Sequence, residues 1–85
     1  SKKNPLEKTY TIEITVTKEK HIYIQNKEYK FTRFADEFML FAKDIKKTVP
    51  VVINADERIL YKDVMSILKS VKLAGFTQVS LATNG

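Results

Sequence analysis

The sequence predicts an α+β fold in two layers: a mixed sheet of about four or five strands with two helices packed on one face. Three observations carry this expectation. Residues 9–17 alternate, with Tyr10, Ile12, Ile14 and Val16 on one side and Thr9, Thr11, Glu13, Thr15 and Thr17 on the other. That is the period of a strand with one wet face. Phe34, Phe38, Phe41 and Ile45 recur at helical spacing and make one apolar stripe. Residues 51–83 read as a β-α-β unit, in which a crossover helix returns the chain to a parallel strand.

Each element has a local reason. Residues 1–8 carry Lys2, Lys3 and Lys8 against Glu7, lack periodicity and contain Pro5, so they read as a basic linker ahead of a domain over 9–85. After the first strand, Lys18-Glu19-Lys20 turns the chain into a run at 21–25 with Ile22 and Ile24. Asn26 and Lys27 are expected to form a tight turn, because Asn tolerates positive φ, with a short third strand over 29–31. Thr32 is the expected N-cap of the first helix. Asp36 and Glu37 lie in its first turns and Lys43, Lys46 and Lys47 in its last, complementing the macrodipole. Pro50 ends the helical region and has no N–H for a ladder, so the next strand starts at Val51. The β-branched run Val51-Val52-Ile53 suits an interior strand. The second helix, 61–74, should bury Val64, Ile67, Leu68 and Val71, with Gly75 in the left-handed position that closes it. The last strand, 78–83, should point Val79 and Leu81 inward and Ser80 and Ala82 to the polar side.

Composition narrows the function. Eighty-five residues make one small domain, near the size at which an oligomer contact often supplements the core. The apolar share of 44% excludes a disordered chain. Without cysteine there is no disulfide framework, thiolate metal site or cysteine nucleophile. The net charge of +5 comes from bases interleaved with acids, as at 18–20 and 27–28, which describes a solvated surface more than a groove for nucleic acid. No apolar run approaches the roughly 18 residues of a membrane span.

Residues 51–83 also resemble a known family. A strand ends in Ala55-Asp56; Tyr61 opens a helix with Val64, Met65 and Leu68; Ala74-Gly75-Phe76 closes it; and Val79-Ser80-Leu81 alternates in the strand that follows. Upstream, the alternating strand, Ile22-Tyr23-Ile24 before a tight turn, and a helix of similar length fit the same plan. Together these resemble the periplasmic domain of the ExbD/TolR family, more the ExbD branch than the TolR branch, over residues 11–83. The resemblance implies a subunit of a proton-driven energy transducer in the inner membrane of Gram-negative bacteria. It implies that a single transmembrane helix bearing the proton-conducting acid precedes the basic linker. It further implies a periplasmic homodimer, an ExbB-like channel subunit reached through that helix, and a TonB-like transducer for transport across the outer membrane. In the TolR branch the ligand is peptidoglycan.

The expected working surface is the edge of the last strand, Val79, Ser80, Leu81, Ala82 and Thr83, where a second protomer or an extended peptide can add a strand. Asp56 ends an interior strand, where α/β sites often lie, but its carboxylate can equally accept loop N–H groups from Glu57 or Arg58. Tyr61, at the helix start, reads as a local structural contact. His21 with Glu19 and Glu28 could be drawn as a metal site, yet one His and two acids on a hairpin more often face solvent. The aromatic residues admit a base-stacking reading, but Phe34, Phe38 and Phe41 fall on the helical stripe and Tyr10 on the inward strand face. No nucleophile–base pair, phosphate loop or metal spacing is present, so neither enzyme activity nor a cofactor is expected. A basic nucleic-acid module is the alternative from another class.

Overall fold

The computed structural model describes residues 10–84, and side-chain burial for 10–83. The linker expected at 1–8, and Thr9, lie outside the described residues. The strands are β1 (Ile12–Val16), β2 (His21–Ile24), β3 (Lys27–Lys30), β4 (Val51–Asp56) and β5 (Val79–Asn84). The helices are α1 (Phe34–Ala42) and α2 (Tyr61–Leu73), with a single 3-10 turn, Phe31–Arg33, leading into α1. The five strands form one mixed sheet in the order β3-β2-β1-β4-β5. The β1-β2 and β2-β3 pairs are antiparallel, whereas β1-β4 and β4-β5 are parallel.

One face of this sheet carries the core. Ile12, Ile14, Val16, Ile22, Ile24, Val51, Ile53 and Ala55 are all buried on it. The register pairs Ile14 with Ile24 and Ile53, so the inward residues of neighbouring strands meet side by side. Both helices cover this face: Phe34, Phe38 and Ala42 from α1 join Val64, Ile67 and Val71 from α2 in one cluster with Tyr29 and Phe76. Thr11, Glu13, Thr15 and Tyr23 face solvent on the other side. The expected two layers are therefore present, with the parallel β4-α2-β5 unit intact.

Several boundaries depart from expectation, each for a local reason. The first strand begins at Ile12, whose N–H bonds the Pro50 carbonyl, so Tyr10 precedes the ladder and is 51% exposed instead of inward. The hairpin turn is centred on Gln25 and Asn26, both at positive φ, because Ile24 pairs with Lys27. Two left-handed central residues match the right-handed strand twist. β3 consequently starts at Lys27, ahead of the expected 29, and Phe31 leaves it for the 3-10 turn.

Thr32 is not a cap. It sits inside that turn, where the Phe34 N–H already bonds the Phe31 carbonyl, and Arg33 occupies the N-cap of α1 without a side-chain bond. The helix also ends earlier than the lysine pattern implies. Lys47 Nζ donates to the carbonyls of Ala42 (2.7 Å) and Ile45 (2.8 Å), adding to the Ile45 N–H that the Ala42 carbonyl already accepts where the helix stops. Residues 43–49 then proceed by successive turns. Gly75 does close α2, at φ +111, with its N–H on the Lys72 carbonyl. Its missing Cβ lets the Lys47 stem lie against it; a Cβ there would meet Lys47 Cγ at 3.3 Å.

Candidate functional site

The open flank of β5 is the most distinctive surface of the sheet. β5 lies at one edge, paired only with β4. The Val51 N–H bonds the Gln78 carbonyl at 2.8 Å, which sets the alternation of a parallel ladder. Backbone groups of Ser80 and Ala82 turn toward β4, so the N–H and C=O of Val79, Leu81 and Thr83 point away from the sheet. Their side chains lie on the helical face: Val79 is half-buried, but Leu81 is 39% exposed where helical cover runs out. The inward placement expected for Leu81 is thus only partly realised. Its partner Ile53 sits deeper under the helices, whereas nothing stands on the outer side of β5 among the described residues.

The two edges of the sheet differ in kind. β3 reads Lys-Glu-Tyr-Lys and is short, and charged edge residues of this sort discourage pairing with a foreign strand. β5 reads Val-Ser-Leu-Ala-Thr-Asn and has no charge at all. It lacks the usual device against strand addition. The contrast between edges needs the strand order, and so could not be read from the sequence.

At the far end of β4, Asp56 occupies a tight electrostatic corner. Arg58 donates from its backbone N–H to Asp56 Oδ1 at 2.8 Å, the expected local turn. Its guanidinium adds a two-pronged contact, Nε to Oδ1 at 2.9 Å and a terminal nitrogen to Oδ2 at 2.8 Å. These side-chain bonds first, and the backbone bond second, lower the Asp56 carboxyl from 3.8 to about 2. A carboxylate that Arg58 keeps ionised well below neutral pH is a poor proton carrier and a good loop staple. Arg58 is the partner that sequence reasoning left as one of two candidates.

Tyr61, the first residue of α2, is 75% exposed and its hydroxyl has no hydrogen-bond partner among the described residues. Asp63, by contrast, was not singled out by sequence, yet it is buried in the first turn of α2 with its carboxylate 3.9 Å from Lys20 Nζ. Lys20 stands at positive φ and also covers the Phe31 ring at 4.6 Å. One lysine thereby ties the β1-β2 turn to both helical entrances. His21 bonds Glu28 across the hairpin through Nδ1, both side chains exposed, and the described residues contain no cluster able to hold a metal ion. Tyr29, Phe34, Phe38, Phe41 and Phe76 contact one another as core rings, leaving Tyr23 as the exposed aromatic of the sheet's wet face.

The family model for the biopolymer transport protein ExbD/TolR matches residues 1–85. The chain belongs to the ExbD/TolR family. A protein found in two strains of Helicobacter pylori, named as an ExbD-like biopolymer transport protein, is 42% identical over 73 residues, covering 86% of this chain and 55% of that protein. The biopolymer transport protein ExbD of Aquifex aeolicus is 30% identical over 71 residues, covering 84% of this chain and 51% of its own length. The chain thus spans about half the length of these curated relatives. In this ExbD/TolR member, the residues whose order suggested the family from sequence stand at the ends of elements. Ala55 and Asp56 end β4, Tyr61 starts α2, and Gly75 and Phe76 return the chain toward β5. No helix among the described residues is long and apolar enough to cross a membrane.

Proposed function

We propose that this domain is the periplasmic docking module of a proton-motive-force-driven energy transducer of the ExbD type. It works by binding, not by chemistry. Residues 1–8 serve as the linker to an inner-membrane helix in the parent protein, through which an ExbB-like channel subunit is engaged. Along β5 the domain pairs with a second copy or receives an extended segment of a TonB-like transducer.

The supporting observation is the uncharged, unpaired flank of β5, set against the charged and short β3. A six-residue strand presents about 20 Å of edge, enough for an extended peptide to bind by main-chain bonds, with specificity from alternate side chains. Amide NMR spectra recorded at rising concentration test this. Shifts should concentrate at Val79, Leu81 and Thr83, whose N–H groups acquire partners. A chain that stays monomeric at millimolar concentration without shifts there would defeat the reading.

A second reading, cell-wall glycan binding of the TolR type, has one observation in its favour. Thr11, Glu13, Thr15, Tyr23, Gln25 and Asn26 line an open concavity of about 370 Å³ on the wet face. A tyrosine ring among hydroxyls and amides suits a sugar. Co-sedimentation with purified peptidoglycan that survives moderate salt, and is lost in Tyr23→Ala, would select it over the first.

A further inference from the structure

The charges of this domain are sorted along its length. The amino-terminal ends of β1, β4 and β5 and the carboxy-terminal ends of both helices gather at one pole of the molecule. Three contacts fix this: the Ile12 N–H bonds Pro50, the Gln78 side chain donates to the Thr48 carbonyl, and the Lys47 stem lies against Gly75. Residues 43–49 and 69–78, which build this pole, contain Lys43, Lys46, Lys69 and Lys72, all exposed, besides the internally bonded Lys47. Asp44 is their one carboxylate. The ion pairs among the described residues lie toward the other pole, on the β1-β2 turn, between His21 of β2 and Glu28 of β3, at the start of α1 and on the β4-α2 loop, although the β2-β3 turn itself stands at the lysine pole.

Helix dipoles favour lysines at helix ends, but they do not account for what accompanies them here. Leu40 and Leu73 are 74% and 71% exposed, each within one helical turn of these ammonium groups. Lysines that lack carboxylate partners, interspersed with protruding leucines, match the chemistry of a bilayer surface, where phosphates lie above the first methylenes. The chain also leads into β1 at this pole. A soluble polyanion would use the charges and leave the leucines idle.

We infer that this pole docks on anionic lipid headgroups, with Lys43, Lys46, Lys69 and Lys72 over phosphates and Leu40 and Leu73 at the acyl boundary. The inference is independent of strand addition at β5, which lies on the flank of the sheet. Each lysine near an anionic leaflet contributes roughly a five-fold affinity factor, about 1 kcal/mol.

The test is flotation of the chain with vesicles of phosphatidylcholine containing phosphatidylglycerol, at about 50 and 150 mM salt. Two matched triples are compared, K43Q/K46Q/K72Q at the pole and K18Q/K30Q/K62Q elsewhere, together with L40S/L73S; thermal melts verify that each is folded. The polar triple should weaken partitioning roughly 100-fold, the control triple less than about three-fold, and the leucine pair about ten-fold. Purely phosphatidylcholine vesicles should not retain the chain. Three results would overturn the inference: no flotation with anionic vesicles at low salt; equal losses in the two triples, meaning net charge alone; or unchanged vesicle binding in L40S/L73S with equally tight binding to a single-stranded oligonucleotide, meaning a general polyanion surface.

Discussion

Placing a proline on the outer strand separates pairing from folding, because neighbouring residues of β5 direct their N–H groups oppositely. The Thr83 N–H points to the open side, whereas that of Ala82 belongs to the ladder with β4. If two copies pair antiparallel through β5, the outward groups of Val79, Leu81 and Thr83 form up to about six bonds across the new seam. Thr83→Pro removes one donor per protomer and leaves two carbonyls unpaired in the dimer. At about 1–3 kcal/mol for each unsatisfied group, dimerisation should weaken at least about 30-fold. The monomer loses no bond, so its unfolding free energy in urea should hold to within about 0.5 kcal/mol. Ala82→Pro should show the reverse emphasis, losing about 1–3 kcal/mol of fold stability through the broken ladder bond. Sedimentation equilibrium across concentration, with urea melts of the same samples, reads both quantities. Equal effects of the two prolines on association, or undiminished association of Thr83→Pro, would refute strand addition at this edge.

Three further outcomes follow from the packing and the electrostatics. Phe38 is fully buried and contacts the rings of Phe34, Phe41 and Phe76. Phe38→Ala should therefore cost about 3–5 kcal/mol, a large part of the roughly 4–13 kcal/mol available to a domain of this size, as measured by urea unfolding. Gly75→Ala should cost about 1–2 kcal/mol, because its φ of +111 is closed to alanine and the new Cβ meets the Lys47 stem. Asp56, held at about 2 against an ordinary 3.8, should titrate by carboxyl NMR near 2, and Arg58→Ala should return it toward 3.8. Since the folded carboxyl is the stronger acid, its contribution to stability is present above about pH 4 and disappears as pH falls from there to about 2.

The elements of this fold were legible because each is specified by nearby residues. Alternation over Ile12, Ile14 and Val16 sets which face of β1 is wet, and the four-three spacing of Phe34, Phe38 and Phe41 sets the buried side of α1. The β4-α2-β5 unit follows from a β-branched run, an amphipathic stretch and Gly75. Boundaries fared worse where a distant group intervened. Tyr10 alternates correctly but has no strand partner beyond Pro50, so periodicity alone placed it inside. Lys47 looked like one more dipole-matched lysine, whereas its ammonium is bonded internally to the carbonyls of Ala42 and Ile45.

The sequence by itself determined the secondary structure, the two-layer class and the family, since hydrophobic period, turn chemistry and helix termini are properties of contiguous residues. Only the tertiary structure decided which strands stand at the edges, and so that the uncharged β5, like the charged β3, leaves one flank of its backbone unpaired in the sheet. It also decided that lysines of α2 and of the turns after α1 share one pole while the ion pairs collect toward the other. Strand order and surface charge depend on residues far apart in the chain, whose proximity is set by burial of the shared core and not by any local pattern.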